Sequence, residues 1–151
     1  MDYSLQPACP QDLETILPWV DSADLLRQWG GPSLVHASTP EEVWFAMGAT
    51  PENAFVLFDP SGEIVGFGQA FVRDPSVHLA RLIVAPSRRG QGLGRRLAMR
   101  LIQAAIVHHP DEITLKAEPN TSTAAKLFNS FNFAAMTAIQ TAEYFQNPQP
   151  A

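Results

Sequence analysis

Three glycines in five residues, Gly90, Gly92 and Gly94, lie between Arg89 and Arg95. Before them runs an apolar stretch, Leu82-Ile83-Val84, that stops at Pro86. After them a helical pattern begins at once. Proline has no N–H to give to a ladder, so the strand ends there. Glycine reaches backbone angles that residues with a Cβ avoid. The stretch therefore reads as strand, tight loop, helix. The loop N–H groups and the unbonded N–H groups of the first helical turn then converge on one space, which suits an anion and above all a phosphate. Arg88 and Arg89 at the helix mouth add positive charge. Arg96 and Arg100, further along the helix, are open to two readings, a solvated face or a second anion contact. The spacing excludes two common phosphate motifs. There is no G-x-x-x-x-G-K-[ST], and Gly90-Gln91-Gly92-Leu93-Gly94 is not G-x-G-x-x-G.

Charge is distributed to the same effect. Between Pro75 and Pro110 there are six arginines and no acidic residue, whereas the formal net charge of the chain is −5. A basic island on an acidic protein suits a local anionic ligand. A nucleic-acid surface would spread its basic residues along a face, so that class is excluded. No run of eighteen apolar residues exists to span a membrane, and Met-Asp-Tyr-Ser does not begin a signal peptide. The single cysteine, Cys9, precludes an intrachain disulfide or a cysteine-based metal site. No metal is expected, because the four histidines show no H-x-x-x-H or H-E-x-x-H spacing. A reducing cytoplasm fits this composition.

Arg89-Gly90-Gln91-Gly92-Leu93-Gly94 matches Q/R-x-x-G-x-G/A, and Arg81-Leu82-Ile83-Val84-Ala85-Pro86 matches the strand end R-L-x-V-x-P. Together these resemble motif A of the GNAT superfamily of acetyl-CoA-dependent N-acetyltransferases. The resemblance implies that acetyl-CoA is the co-substrate, with its pyrophosphate on Arg89, Gly90, Gln91, Gly92, Leu93, Gly94 and Arg95. It also implies a bulge in the strand at Leu82, Ile83 and Val84, whose free backbone groups pair with the pantetheine. A bulge frees such groups by leaving one residue unpaired. Asn120 is the near match to the family's cofactor-binding asparagine, at a one-residue shift. It would otherwise cap the next helix.

Acyl transfer to an amine needs a proton acceptor. In one branch of the family a glutamate stands six residues before the strand's last valine, and here that place is His78. Six is even, so alternation puts His78 and Val84 on one sheet face. Imidazole can accept a proton near neutral pH, which makes His78 the first candidate base. In another branch the base is the glutamate of L-E-V-R, matched here by Leu115-Lys116-Ala117-Glu118. Lys116 takes its place, and Glu118, two residues on, is the second candidate. The family's thiolate-protonating tyrosine is replaced by Phe128, which has no proton to give. Water or Tyr144 would then serve. Asn132 replaces a glycine and tolerates the same helix-end geometry.

These groups need a scaffold. Residues 3–7 read as a short strand. Pro10 to Leu17 reads as a helix broken by Pro18, and Asp21 or Ser22 caps a second piece with Leu25, Leu26 and Trp29. Thr39-Pro40-Glu41-Glu42 is a helix start. Strands follow at 54–58, 64–71 and 77–85, with turns at 59–62 and 74–76. Leu93, Leu97, Leu101, Ala104 and Ala105 line one face of a helix closed by Pro110. A strand at 113–117 runs parallel to 77–85, because a helix crosses between them. Thr121 or Ser122 caps a last helix, and 133–145 holds one or two strands. The resemblance makes this an α/β (α+β) fold. It has a mixed, mostly antiparallel sheet of six to seven strands with a central parallel pair and about four helices. That sheet would splay between 77–85 and 113–117 to admit the cofactor.

Residues 1–146 are thus expected to form one N-acetyltransferase domain with a loose tail at 147–151. The acceptor is a small-molecule amine or a protein amino group, approaching from the side of the N-terminal helices, where Trp29, His36 and Trp44 could line its path. Strand edges near the C-terminus are compatible with a homodimer. Two other readings remain open: a non-catalytic acyl-CoA-binding module, and a phosphate-ligand protein unrelated to CoA.

Overall fold

The computed structural model describes residues 2–31, 34, 37, 39–73, 75–108, 110 and 112–115. Five strands, β1 (Ser4–Pro7), β2 (Ala54–Phe58), β3 (Ile64–Arg73), β4 (Ser76–Val84) and β5 (Glu112–Leu115), form one sheet in chain order. The first three pairings are antiparallel, and β4 with β5 is parallel. This is the mixed α/β architecture expected, with five strands among the described residues. The final helix and closing strands expected beyond 116 lie outside them.

The N-terminal segment is more broken than its periodicity suggests. Residues 10–16 form a 3-10 turn followed by α1 (Leu13–Ile16), and Leu17 and Pro18 lie in a second 3-10 turn. The α2 helix (Ala23–Gly30) is capped by Ser22, whose Oγ accepts from the Leu25 N–H at 3.1 Å. The α3 helix (Pro40–Ala46) is capped by Thr39, which accepts from the Glu42 N–H at 3.2 Å. Both caps satisfy orphan donors of a first turn. The α4 helix (Leu93–Ile106) is the β4-to-β5 crossover.

Two cores lie on opposite faces of the sheet. On one, Leu93, Leu97, Leu101 and Ile102 of α4 pack against Leu57, Val65, Val77 and Leu79. On the other, Leu13, Ile16, Leu34, Val43 and Met47 pack against Val56 and Phe67. The helix comes close to the sheet at Gly68. A Cβ there would lie 2.6 Å from Leu101 Cδ1 and 3.4 Å from Leu82 Cγ. Such overpacking costs about 1–3 kcal/mol. Gly68→Ala should therefore lower the urea midpoint. In the Gly68→Ala/Leu101→Ala double variant the loss should be less than the sum of the two single losses, because each substitution vacates what the other needs.

Candidate active site

Strict alternation along β4 fails at one point. Gln69 faces Ala80 and Phe67 faces Ile83, so Gly68 alone stands opposite Arg81 and Leu82. That is a bulge with one extra residue on β4. Arg81 has φ +55, left-handed and outside the usual range of a side-chain-bearing residue. Val77, Leu79, Leu82 and Val84 pack on the α4 side, whereas Ile83 packs on the α1–α3 side. His78 alternates with Val77 and Leu79 and so belongs to the α1–α3 side. The expectation that His78 and Val84 share a face is thus wrong. The count of six was even, but the inserted residue reverses parity between them.

The bulge is held by a polar cluster that the sequence reading did not assemble. Arg81 Nε donates to Gly30 O at 3.0 Å, and its Nη1 donates to Gln69 Oε1 at 2.9 Å and Met47 O at 3.5 Å. Gln69 is fully buried, and its Nε2 donates to Met47 O and Asn53 Oδ1, each at 3.3 Å. Trp29 Nε1 donates to the Arg81 carbonyl at 2.7 Å, and its ring meets Phe67 edge-on at 5.8 Å. Burial pushes the Arg81 pKa below its ordinary value. It remains a cation because that value starts far above neutrality. One signal was available: Gln69 is the only polar residue in the run Ile64–Val72. A polar side chain in a buried strand requires a partner. Trp29 and Trp44 both pack against the α1–α3 core, while His36 lies outside the described residues.

Beyond the bulge, β4 offers backbone to its other edge. Ala85 N–H bonds Val65 O at 3.0 Å, and Val84 stands opposite Gly66. Bonded and non-bonded pairs alternate in an antiparallel ladder. Ile83 is therefore tied to β3, whereas the N–H and C=O of Val84 face away from it. Described pairing with β5 ends at Leu79 and Leu115, so the expected splay falls outside the described residues. His78 sits in that paired part. Its Nδ1 and the Thr114 hydroxyl share a hydrogen bond of 2.8 Å.

The loop follows directly. Pro86–Arg88 is a 3-10 turn, and Gly90 and Gly92 have φ +82 and +78. Nothing lies within 4 Å of where a Cβ at either would stand. Gly92 is the N-cap of α4 and brings no side-chain cap to its first turn. The Arg96 N–H makes the first helical bond, to Gly92 O at 3.1 Å. The preceding N–H groups of that turn are the orphan donors of a helix start, carrying the positive end of a fourteen-residue helix dipole. Gln91, Arg89 and Arg95 are exposed, whereas the Leu93 side chain is buried in the α4 core, leaving only its backbone to face the loop. Arg89 Nε donates to Val84 O at 3.3 Å. An open basic cleft of about 380 Å³ continues along α4, lined by Gly92, Arg95, Arg96, Met99, Arg100 and Gln103. Arg96 and Arg100 pair with Asp2 at 3.6 and 3.3 Å.

Arg88 is engaged elsewhere. Its Nη2 donates to Asp59 Oδ2 at 2.8 Å and Glu63 Oε2 at 2.9 Å, so it braces the loop from the β2–β3 turn. Glu118, Asn120, Lys116, Phe128, Asn132 and Tyr144 lie outside the described residues. Among the described residues no cluster of His, Cys, Asp or Glu could hold a metal, and no helix is long and apolar enough to cross a membrane.

The Acetyltransferase (GNAT) domain family model matches residues 32–146. No curated protein matches the chain. Among solved structures, the ribosomal-protein-S18-alanine N-acetyltransferase of Escherichia coli is similar at 22% identity and a TM-score of 0.62, over 85% of this chain and 76% of that one. Spermidine N-acetyltransferase of Vibrio cholerae, solved with CoA and spermine, is 17% identical with a TM-score of 0.67, over 85% and 79%. The protein yncA of Salmonella typhimurium, solved with its cofactor acetyl-CoA, is 17% identical with a TM-score of 0.62, over 87% and 79%.

The brace has a pH signature. The Ser61 hydroxyl, the Glu63 N–H and the Arg88 guanidinium hold the Asp59 carboxyl down to about 2 from the usual 3.8. The same contacts, Asp59 before Glu63, raise the pKa of Arg88. A depressed carboxyl stabilises the fold above its unfolded pKa and loses that contribution as pH falls through its folded value. Stability of the wild type should therefore fall between about pH 4 and pH 2, in part through this group. Asp59→Asn should be less stable at neutral pH and show a shallower decline across that window in urea titrations.

Proposed function

The chain belongs to the GNAT acetyltransferase family, and on that premise we propose that it transfers the acetyl group of acetyl-CoA directly to a primary amine within a ternary complex. The observation that carries this reading is the uncapped start of α4 behind two left-handed glycines, next to a bulged strand that, among the described residues, is unpaired with β5 beyond Leu79. The pyrophosphate of the donor would lie on the backbone of Arg89 to Arg95, with the Arg89 and Arg95 side chains beside it. The pantetheine would run along β4 and pair with the outward backbone groups of Leu82 and Val84. Ile83, committed to β3, would contribute its side chain to packing alone. The basic cleft on α4 suits the remaining phosphate of the cofactor. Asn120 would close the site from the following segment.

Binding both substrates in one geometry removes most of the entropic barrier. The amine then has to lose a proton. His78 is our candidate base, and its place on the α1–α3 face puts it on the side proposed for the amine. Its role fixes its tautomer. If Nδ1–H donates to Thr114, the Nε2 lone pair is the proton acceptor; with the opposite tautomer it is not. Glu118 is the second candidate. No side chain is assigned to protonate the thiolate; a thiol of pKa about 8.5 leaves without much help.

Residues 1–146 would make up this one domain. The exposed free thiol of Cys9 suits a reducing cytoplasm. The acceptors named for the similar structures supply the first panel: spermidine and a peptide with N-terminal alanine.

Calorimetry with CoA and acetyl-CoA, and free-thiol release with that panel, test the proposal. CoA should raise the melting temperature. Gly92→Ala forces a Cβ into a left-handed position at a cost of roughly 1–2 kcal/mol and should weaken CoA binding about tenfold, since it shifts the donors at a helix start. His78→Ala should lower kcat roughly 100-fold with CoA affinity unchanged. CoA binding without turnover on any amine would instead favour the acyl-CoA-binding module.

A further inference from the structure

Among the described residues, a side chain fixes the peptide between Arg81 and Leu82 from one side. Its carbonyl accepts from Trp29 Nε1 at 2.7 Å. Trp29 lies in the last turn of α2, and its ring is wedged against Phe67. A trans peptide sets its N–H opposite its C=O. The Leu82 N–H is thus turned away from α2 and from the face covered by α1–α3. It belongs to the bulged pair, where two residues share one partner and the ladder is interrupted.

Arg81 makes this arrangement hold. A left-handed backbone at a side-chain-bearing residue costs about 1–2 kcal/mol and persists only where its surroundings over-determine it. Here the guanidinium spans Gly30 O at the end of α2, Met47 O at the end of α3 and Gln69 Oε1 on β3. Three elements on the α1–α3 side therefore set the angle of one peptide on β4. We propose that Trp29 and Arg81 are positioning residues that aim the Leu82 N–H at the acyl carbonyl oxygen of the donor thioester. A donor aimed where negative charge develops is effective only if its direction is fixed beforehand. Neither side chain touches the reacting atoms; both act through the backbone between them.

This assignment rests on the acetyl-donor reading above, and the test separates the two. In 15N-labelled wild type, the assigned Leu82 amide should differ between the CoA and acetyl-CoA complexes, its proton moving downfield when the acyl carbonyl is present. Trp29→Phe keeps a ring against Phe67 and removes the Nε1–H. It should keep the affinity for acetyl-CoA within about threefold, lose the Leu82 shift difference, and lower kcat about tenfold on the amine the wild type accepts. That is less than the 10²–10³ seen when such a donor is removed outright. A purely structural role would lower the melting temperature and leave both the shift difference and kcat in place, which overturns the assignment. A wild type that binds both ligands with the same Leu82 shift overturns it alone. A wild type that binds neither overturns the acetyl-donor reading and this assignment with it.

Discussion

One half-buried cation governs the geometry of the centre. The Arg81 guanidinium is drawn partly out of water, and its donors there find acceptors. Those acceptors come from α2, α3 and β3, and they have to arrive together. Gln69 accepts from Arg81 through its oxygen and donates through its nitrogen to Met47 O and Asn53. Removing Arg81 leaves the fully buried Gln69 oxygen short of its donor. The N-terminal helices are thus tied to the sheet by hydrogen bonds as well as by apolar packing. The strand accepts one left-handed residue as the consequence.

The two halves of the proposed site are built from different materials. The donor half is backbone: outward groups on β4, glycines at Gly90 and Gly92, the start of α4. Its precision depends on what braces it from behind, and Asp59, Ser61 and Glu63 do so through Arg88. The acceptor half is faced by side chains of the α1–α3 side, where His78 meets Thr114. Changing those side chains leaves the loop and α4 untouched, because the sheet lies between them.

Much of this was legible in the sequence. The strand–loop–helix unit could be read because glycine and proline mark backbone geometry locally, and Gly92 and Pro86 do so within a few residues. The Thr39 and Ser22 caps were legible for the same reason. The parity of β4 was not. A bulge depends on what stands opposite, and Gly68 is thirteen residues away from Arg81 along the chain. The engagement of Arg88 was hidden for a similar reason. Its neighbours in sequence are basic and glycine-rich, but its partners come from the β2–β3 turn. Local chemistry showed where an anion could bind; which arginines were already occupied by carboxylates is a tertiary fact.

The extra residue in β4 also bears on how the chain can change over time. Upstream of it, odd-numbered positions look toward α4; downstream, even-numbered ones do. Deleting Arg81 would leave Leu82 alone opposite Gly68, so a regular ladder would run from Ala80 to Val84 with Ile83 and Val84 still on their present faces. Length here is thus not fixed by the two interiors: a strand one residue shorter would keep both, and only the left-handed turn and the groups it aims would be lost. A descendant that had lost its chemistry would then be free to lose the kink as well.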